Sequence, residues 1–218
     1  MRFQEEMLRL YAITDRSCVR DGVLRDQVEA ALRGGVTLVQ LREKGLDDAA
    51  LEKEARELTA LCHCYGTALI VNDNVDVALR SGADGVHVGI GDAPVEDIRA
   101  RAPEGFIIGA TAKTVEQAQA AQRAGADYLG VGAVFPSPTK RQAIRITTQE
   151  LKNICASVSI PAVAIGGIGY DNMLALKGGG MRGIAVVSAI FRADDIESAA
   201  RSLRARAQEL AGSGSESG

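Results

Sequence analysis

Short runs of hydrophobic residues alternate along this chain with longer segments in which hydrophobic residues recur at helical spacing. Each short run is continuous and rich in Val, Ile or Leu, which is typical of parallel strands buried on both faces. These runs predict strands at Leu10–Thr14, Leu38–Arg42, Ala68–Asn72, Gly85–Val88, Ile107–Thr111, Tyr128–Val131, Ala162–Ile165 and Gly183–Val187. The longer segments predict amphipathic helices at Asp26–Arg33, Asp47–His63, Thr114–Ala124, Thr147–Ser157 and Ile196–Leu210.

A recurring sequence motif links the helices to the strands that follow them. It reads RGGVTLVQ at 33, SGADGVHV at 81, AGADYLGV at 124 and GGGMRGIAVV at 178, each a helix end, a glycine stop and a strand. Eight such units with right-handed crossovers close into a (β/α)₈ barrel, the α/β fold that we predict for residues 1–211. A doubly wound open sheet is the alternative. It is disfavoured because no Gly-x-Gly-x-x-Gly follows the first strand.

Composition adds limits on function. The chain has 218 residues, of which 46% are hydrophobic and 24% charged, which suits one globular domain. A net charge of −3 provides no global basic field for nucleic acid or an anionic membrane, so we expect neither as a partner, and any anion must be bound by local groups. No apolar run approaches the roughly eighteen residues of a membrane span, and the start MRFQEEMLRL lacks the features of a signal peptide. The low-complexity stretch 212–218 is expected to be disordered.

The cysteines indicate a compartment rather than a metal. Cys18, Cys62, Cys64 and Cys155 are irregularly spaced in a chain too large to need disulfides, so we expect a reducing cytoplasm. The run Cys62-His63-Cys64 raises the alternative of zinc, which is disfavoured because no second ligand pair stands at a suitable spacing. The oligomeric state does not follow from the sequence, and a homodimer is carried forward as an expectation.

Acidic side chains end the third and fourth predicted strands. Asn72 and Asp73 follow one strand, and Asp92 lies just past the next. Consecutive parallel strands end side by side, so Asp73 and Asp92 can face each other and offer two carboxylates to a divalent cation. The alternative is that Asn72 and Asp73 cap the following helix.

Basic side chains follow the second predicted strand, in the run Gln40-Leu41-Arg42-Glu43-Lys44. Alternation along a strand places Gln40, Arg42 and Lys44 on one side, toward the mouth of a barrel. Arg42 inside an otherwise apolar strand requires a fixed anion, because burying a lone guanidinium is prohibitive. The alternative is a barrel residue followed by solvated charges.

The later strand ends carry groups suited to phosphate. A long loop after the sixth strand holds Ser137, Thr139 and Lys140, and the seventh and eighth strands lead into Gly166-Gly167 and Val187-Ser188. In barrels, phosphate often binds near the loops after strands seven and eight. Thr111 puts a hydroxyl at the mouth, and the alternative for this residue is a helix cap. His87 is interpreted as a packed or hydrogen-bonded residue rather than a base.

Taken in order, the strand ends carry the motifs of a known family. They read YAITD, VQLREK, VNDNVDVAL, GADGVHVGIGD, GVGAVFPSPTK, AIGGI and VVSAI. From about Tyr11 to Phe191 the chain resembles the thiamine-phosphate synthase family. The resemblance implies a (β/α)₈ transferase that joins 4-amino-2-methyl-5-hydroxymethylpyrimidine diphosphate to 4-methyl-5-(2-phosphoethyl)thiazole, giving thiamine monophosphate and pyrophosphate with Mg²⁺.

The resemblance also implies residue roles. Arg42, Lys44, Lys140 and Thr111 would be catalytic, and Asp73 and Asp92 would hold Mg²⁺. The substrate-binding set would comprise Gln40, Leu41, Arg42, Glu43, Lys44, Asn72, Thr111, Ser137, Pro138, Thr139, Lys140, Gly167, Val187 and Ser188. No protein base is needed in the family's dissociative mechanism, in which the bond to pyrophosphate breaks first.

This sequence departs from the family pattern at three places and leaves rivals open. Gly89-Ile90-Gly91-Asp92 replaces the usual Gly-Gln-Glu-Asp, Gly109-Ala110-Thr111 replaces Gly-Val-Ser, and Ser137 replaces the first Thr of Thr-x-Thr-Lys. These substitutions conserve functional groups, but the catalytic rate cannot be deduced from the sequence. One rival is a thiazole tautomerase-like barrel, which the retained Asp73, Asp92 and Lys140 disfavour. The other is a non-catalytic barrel that binds thiamine phosphates.

Overall fold

Eight parallel strands form a closed barrel in the computed structural model, which describes residues 2–19, 23–136 and 144–211. Each strand pairs with the next along the chain, and the last pairs with the first, through Tyr11 and Ala185 among others. This closure confirms the predicted (β/α)₈ barrel and excludes an open doubly wound sheet. The strands are β1 Leu10–Ile13, β2 Leu38–Leu41, β3 Ala68–Asn72, β4 Gly85–Val88, β5 Ile107–Ala112, β6 Tyr128–Gly132, β7 Ala162–Ile165 and β8 Gly183–Val186.

The strands agree with the prediction to within one residue at each end. Strands β1, β2 and β8 end one residue early, so Arg42 is the first residue after β2 rather than a residue inside it. Strands β5 and β6 extend one residue further than predicted. The difference at Arg42 is physically sensible, because its charged side chain leaves the sheet where the chain reaches the mouth of the barrel.

Helices cover the outside of the barrel, and their starts follow the predicted caps. Asp47 accepts a hydrogen bond from Ala50 N at 2.8 Å, and Thr147 forms a reciprocal capping box with Glu150. Thr114 accepts one from Gln117 N at 3.3 Å. The helices are α1 Leu24–Arg33, α2 Asp48–Cys64, α3 Val75–Ser81, α4 Val95–Arg101, α5 Val115–Ala124, α6 Thr148–Ala156, α7 Ser188–Phe191 and α8 Ile196–Ala211.

Short elements are the part of the architecture that periodicity did not predict. Helices α3, α4 and α7 span only one to two turns, too few for hydrophobic residues to recur at a helical period. The crossover between β7 and β8 contains a 3₁₀ helix, Met173–Leu176, and two further 3₁₀ helices lie at Glu5–Leu8 and Arg16–Cys18.

Buried residues form two layers. One lies between the strands and the surrounding helices, and the other lies inside the barrel and includes Leu8, Tyr11 and Tyr128. Leu8 is fully buried, and the ring of Phe3 stacks on that of Tyr128 with 5.7 Å between centroids. The segment before β1 therefore closes the amino-terminal end of the barrel, and the other end remains available for a site.

Other predictions concern cysteines, membrane spans and the tail. All four cysteines are free thiols, and burial raises the pKa of the Cys62 thiol to about 12. Within the described ranges, no three His, Cys, Asp or Glu side chains group as a metal site, so Cys62-His63-Cys64 lacks the ligands for zinc there. Across these ranges no helix combines the length and apolar character needed to cross a bilayer. Residues 212–218, predicted to be disordered, lie outside the described residues.

Candidate active site

A cavity of about 320 Å³ opens at the carboxyl ends of the strands and receives residues from all eight. This is the end of the barrel at which the loops after the strands converge. The cavity is lined by Tyr11, Ile13, Gln40, Arg42, Lys44, Asn72, Asp73, His87, Gly89, Asp92, Thr111, Lys113, Gly130, Gly132, Ala133, Val163, Ile165, Gly166, Gly167, Ile168, Ala185, Val186, Val187 and Ser188.

The cationic side of the cavity comes from the end of β2. Gln40, Arg42 and Lys44 line it together, as alternation along the strand predicts. Arg42 is held in place twice: its backbone N donates to Thr14 Oγ1 at 2.9 Å, and its Nη1 donates to Asp15 Oδ2 at 3.1 Å. The fixed anion that Arg42 requires is therefore supplied by the protein.

Asp15 is the anchor of this pair. Burial alone would raise the pKa of its carboxyl, but hydrogen bonds from Ser17 and the charges of Arg42 and Arg192 outweigh burial and leave the pKa below its ordinary value. The carboxylate therefore stays ionised at neutral pH and keeps Arg42 aimed along one direction. Only 12% of the Arg42 side chain is exposed, so screening by solvent is limited.

Two neighbours in the same run were predicted to bind substrate and do not line the cavity. Leu41 is fully buried in the layer between strands and helices, on the opposite face of β2 from Gln40. Glu43 turns away as well: its carboxylate accepts a hydrogen bond from Arg16 Nε at 2.7 Å. Burial raises the pKa of Glu43, and the hydrogen bond from Arg16 offsets this only in part. The structure corrects both predictions as far as the side chains are concerned.

Asp73 lies at the edge of the cavity in an unusual backbone conformation. Its φ of 61° lies in the left-handed region, which Asp tolerates better than most residues and which costs about 1 kcal/mol or more. Its backbone N donates to His87 O at 2.8 Å, which ties the end of β3 to β4. The alternative that Asn72 and Asp73 cap the next helix is wrong, because Asn74 caps α3 by accepting from Val77 N at 3.0 Å.

Asp92 reaches the same cavity through a tight turn after β4. Its Oδ2 accepts a hydrogen bond from Gly89 N at 2.7 Å. A Cβ on residue 89 would lie 2.7 Å from that oxygen, so a side chain there would displace the Asp92 carboxylate from its present position. Asp73 and Asp92 thus line one cavity instead of pointing to opposite ends of the molecule.

Among the described residues, Asp73 and Asp92 have no third acidic or histidine ligand beside them. Such a pair suits Mg²⁺ better than it suits a metal ion whose ligands all come from the protein. Mg²⁺ is commonly bound by one or two carboxylates, with water and substrate phosphate oxygens as its other ligands. No group of three metal-binding side chains occurs in residues 2–19, 23–136 and 144–211. The donors present are hard oxygens, and the cavity beside them has room for a phosphorylated substrate.

The opposite side of the cavity is formed by backbone and small side chains. Gly166 and Gly167 follow β7 with φ of 102° and 65° and pass directly against residues 133–136. A side chain on Gly167 would overlap the backbone of Phe135 and Pro136. Val187 and Ser188 follow β8 and complete this side of the cavity. Ser137, Pro138, Thr139 and Lys140, predicted to contribute here, lie outside the described residues.

Beneath the rim, five side chains form a row of hydrogen bonds across the interior of the barrel. Gln40 Nε2 donates to Tyr11 Oη at 2.7 Å, and Tyr11 Oη lies 2.8 Å from Tyr128 Oη. His87 Nδ1 lies 3.1 Å from Tyr128 Oη, and His87 Nε2 lies 3.1 Å from Thr111 Oγ1. The interpretation of His87 as a hydrogen-bonded barrel residue is confirmed.

Sequence reasoning missed several residues of this site. Lys113 lines the cavity, and the alternation of Gly109 and Thr111 along β5, continued to Lys113 directly after the strand, was the signal available for it. Tyr11 and Tyr128 stand in apolar runs and read as core residues. Their hydroxyl groups form a hydrogen bond with each other although the two residues are 117 positions apart in sequence, and no local sequence pattern predicts such a contact.

Comparisons with known proteins show the family to which this chain is similar. A family model described as thiamine monophosphate synthase matches residues 10–190. A thiamine-phosphate synthase of Ruminiclostridium cellulolyticum is 45% identical over 194 residues, covering 89% of this chain and 92% of that protein. One from Caldivirga maquilingensis is 44% identical over 198 residues, covering 90% and 95%. The solved structure of thiamine phosphate pyrophosphorylase from Pyrococcus furiosus has a TM-score of 0.87 at 40% identity, covering 94% of this chain and 98% of that one.

Proposed function

The chain belongs to the thiamine monophosphate synthase family and is a transferase of thiamine biosynthesis, and from this premise we propose its substrates, metal and mechanism. The substrates are 4-amino-2-methyl-5-hydroxymethylpyrimidine diphosphate and 4-methyl-5-(2-phosphoethyl)thiazole. The products are thiamine monophosphate and pyrophosphate. The reaction is a substitution in which the bond between the pyrimidine methylene and the diphosphate breaks before the thiazole nitrogen attacks.

One observation carries the proposal: Arg42, Lys44, Asp73 and Asp92 line the same cavity. Cations alone would suit any anion, and carboxylates alone would repel one. Carboxylates and cations together suit a diphosphate that arrives with a divalent cation, because Asp73 and Asp92 can hold Mg²⁺ while Arg42 and Lys44 contact phosphate oxygens. When bound there, Mg²⁺ would neutralise negative charge on the departing diphosphate.

The side chains of this site assist bond breaking by stabilising the leaving group. Arg42, fixed by Asp15, presents its guanidinium without having to reorganise during the reaction. Lys44 adds a second positive charge from the same strand end, and Lys140, which lies outside the described residues, is proposed as a third. The amino group of the pyrimidine stabilises the methylene cation that remains, so no protein base is required.

The glycine side of the cavity is proposed to bind the thiazole phosphate. Gly166 and Gly167 let a phosphate approach the backbone closely, and Ser188 offers a hydroxyl donor beside Val187. Ser137 and Thr139 would add two hydroxyls, as the sequence predicts. Binding there positions the thiazole nitrogen against the cation before water reaches it, which is the second task of the barrel.

An assay with both substrates tests the proposal. We expect pyrophosphate release that requires the thiazole phosphate and stops in excess chelator. Release that continues unchanged in chelator would reject the Mg²⁺ assignment. Conversion of the thiazole alone would indicate a tautomerase, and tight binding of thiamine phosphates without any release would indicate a non-catalytic barrel.

We propose that the enzyme works in a reducing cytoplasm as a homodimer. A reducing cytoplasm suits the four free thiols of the described cysteines. A homodimer remains a proposal, tested by light scattering of the purified protein at two concentrations.

A further inference from the structure

The row of hydrogen bonds beneath the cavity has a direction that can be derived atom by atom. Burial raises the pKa of both phenols, Tyr11 and Tyr128, so each keeps its single proton. Each phenol can therefore donate one hydrogen bond and accept others. Gln40 Nε2 donates to Tyr11 Oη, which fixes the first step and makes Tyr11 an acceptor from this side.

The remaining steps follow from the proton count. The Tyr11 proton lies toward Tyr128 Oη, 2.8 Å away, and the Tyr128 proton then lies toward His87 Nδ1 at 3.1 Å. A neutral imidazole that accepts at Nδ1 carries its proton on Nε2. That proton is donated to Thr111 Oγ1 at 3.1 Å, so the hydroxyl proton of Thr111 is directed elsewhere, into the cavity that Thr111 lines.

The opposite direction is possible only if the Gln40 amide turns over. With the amide as it stands, reversing the row would leave the proton of Tyr11, a side chain that is only 1% exposed, without a side-chain acceptor among the described residues. Burying an unsatisfied hydroxyl is strongly unfavourable. The two directions therefore correspond to two amide orientations, and each presents a different set of donors and acceptors to the cavity.

We propose that Tyr11, Tyr128 and His87 are positioning residues that fix the hydrogen-bonding polarity of the cavity, with Gln40 presenting its carbonyl oxygen and Thr111 presenting its hydroxyl proton. This proposal rests on the proposed function for its ligand, a 4-aminopyrimidine. Such a ring offers an amino donor and ring-nitrogen acceptors, which match an acceptor at Gln40 and a donor at Thr111. A 4-oxo ring offers a carbonyl acceptor beside an N–H donor, and the site rejects it.

Two glycines give independent support, because they make room for the row inside the barrel. A side chain at Gly109 would overlap the Tyr128 ring and lie 2.5 Å from His87 Nδ1. One at Gly130 would lie 3.0 Å from His87 Cε1. Interior positions of a barrel are normally filled by branched hydrophobic residues. Here β5 and β6 instead have glycine at the two interior positions beside Tyr128 and His87.

The direction can be measured without any substrate. The chain has two histidines, so ¹⁵N NMR of the imidazoles gives two sets of shifts, and His63→Gln assigns them. We expect neutral His87 with a protonated Nε2 in the wild type and loss of this fixed tautomer in Tyr128→Phe. A proton on Nδ1, a doubly protonated ring, or an unchanged tautomer in Tyr128→Phe would each overturn the proposal.

Kinetics test the consequence for specificity. Tyr128 does not line the cavity, and Tyr128→Phe removes one oxygen while keeping the ring. We expect the preference for the amino pyrimidine diphosphate over its 4-oxo analogue, measured as a ratio of kcat/KM, to fall about tenfold. Tyr65→Phe, at the opposite end of the barrel, should leave the ratio unchanged. An unchanged ratio in Tyr128→Phe would refute the positioning role.

Failure of this inference is distinguishable from failure of the proposed function. A wild-type protein that releases no pyrophosphate from the pyrimidine diphosphate refutes the proposed function. The nitrogen shifts of His87 still report the direction of the row in that case, and a wild-type proton on Nε2 supports it.

Discussion

Gly109→Ala is the substitution for which the structure gives the sharpest expectation. The added Cβ would overlap the ring and hydroxyl of Tyr128 and lie 2.5 Å from His87 Nδ1. The ring cannot retreat easily, since Phe3 stacks on it at 5.7 Å and the Tyr11 ring meets it edge-on at 5.9 Å. Relief of the overlap therefore requires Tyr128 or His87 to leave its hydrogen bonds.

The expected change in the free energy of unfolding combines two destabilising effects and one stabilising effect. Overpacking of a dense core costs about 1–3 kcal/mol. Breaking the Tyr128 hydrogen bonds at 2.8 and 3.1 Å adds about 1 kcal/mol for each. Replacing a strand glycine by alanine stabilises the protein by about 0.5–1 kcal/mol, because alanine lowers the conformational entropy of the unfolded chain. We expect the free energy of unfolding to fall by about 2–4 kcal/mol, with the overlap as the dominant effect.

Urea denaturation followed by circular dichroism measures this change, provided that the m-value stays constant. Gly91→Ala is the matched control, because an added Cβ there meets nothing within 4 Å, and its stability should stay within about 0.5 kcal/mol of wild type. Gly130→Ala should lie between the two, since its nearest contact is 3.0 Å. Equal midpoints for Gly109→Ala and Gly91→Ala would refute the account of a tightly held row.

Three further predictions concern the charged rim. Asp92→Asn should raise the Mg²⁺ concentration needed for half-maximal activity by at least about tenfold, whereas exposed Asp97→Asn should not; equal Mg²⁺ titrations would contradict the ligand assignment. Arg42→Ala should lower kcat by about 10²–10³, as expected for a group that stabilises the leaving charge, and a purely KM effect would count against this role. Lys140→Ala should reduce turnover far more than thiazole phosphate affinity in equilibrium binding, and full activity would exclude Lys140 from the mechanism.

The barrel and its charged rim were predictable because their signals are local. Each strand is a continuous apolar run, and each helix that was predicted has enough turns to show its period. In a parallel barrel every strand ends at the same rim, so residues directly after strands, such as Arg42 and Asp73, are brought together by topology alone. No knowledge of register is needed for that inference.

Orientation within the run 40–44 was predictable only in part. Alternation correctly separates Gln40 from Leu41 while the chain is extended. Beyond the strand end the backbone is no longer regular, and Glu43 is turned by its hydrogen bond to Arg16, a contact 27 residues away in sequence. Family resemblance placed both Leu41 and Glu43 among substrate contacts because it transfers positions and not side-chain directions.

The site combines a charged rim with a neutral floor, the row of hydrogen bonds that contains Tyr11 and Tyr128. Electrostatics explains why charged groups lie at the rim and neutral groups lie beneath it. Asp73, Asp92 and Lys44 are exposed, so charged side chains at these positions lose little hydration on folding. Tyr11 and Tyr128 are almost fully buried, where an unpaired charge would cost several kcal/mol, and neutral hydroxyls can still impose direction because each has one proton to give. In the mechanism that we propose, the rim therefore stabilises the leaving group, and the buried row of hydrogen bonds recognises the edge of the pyrimidine ring. On this reasoning rim substitutions should change rate and metal dependence, whereas floor substitutions should change which ring is accepted.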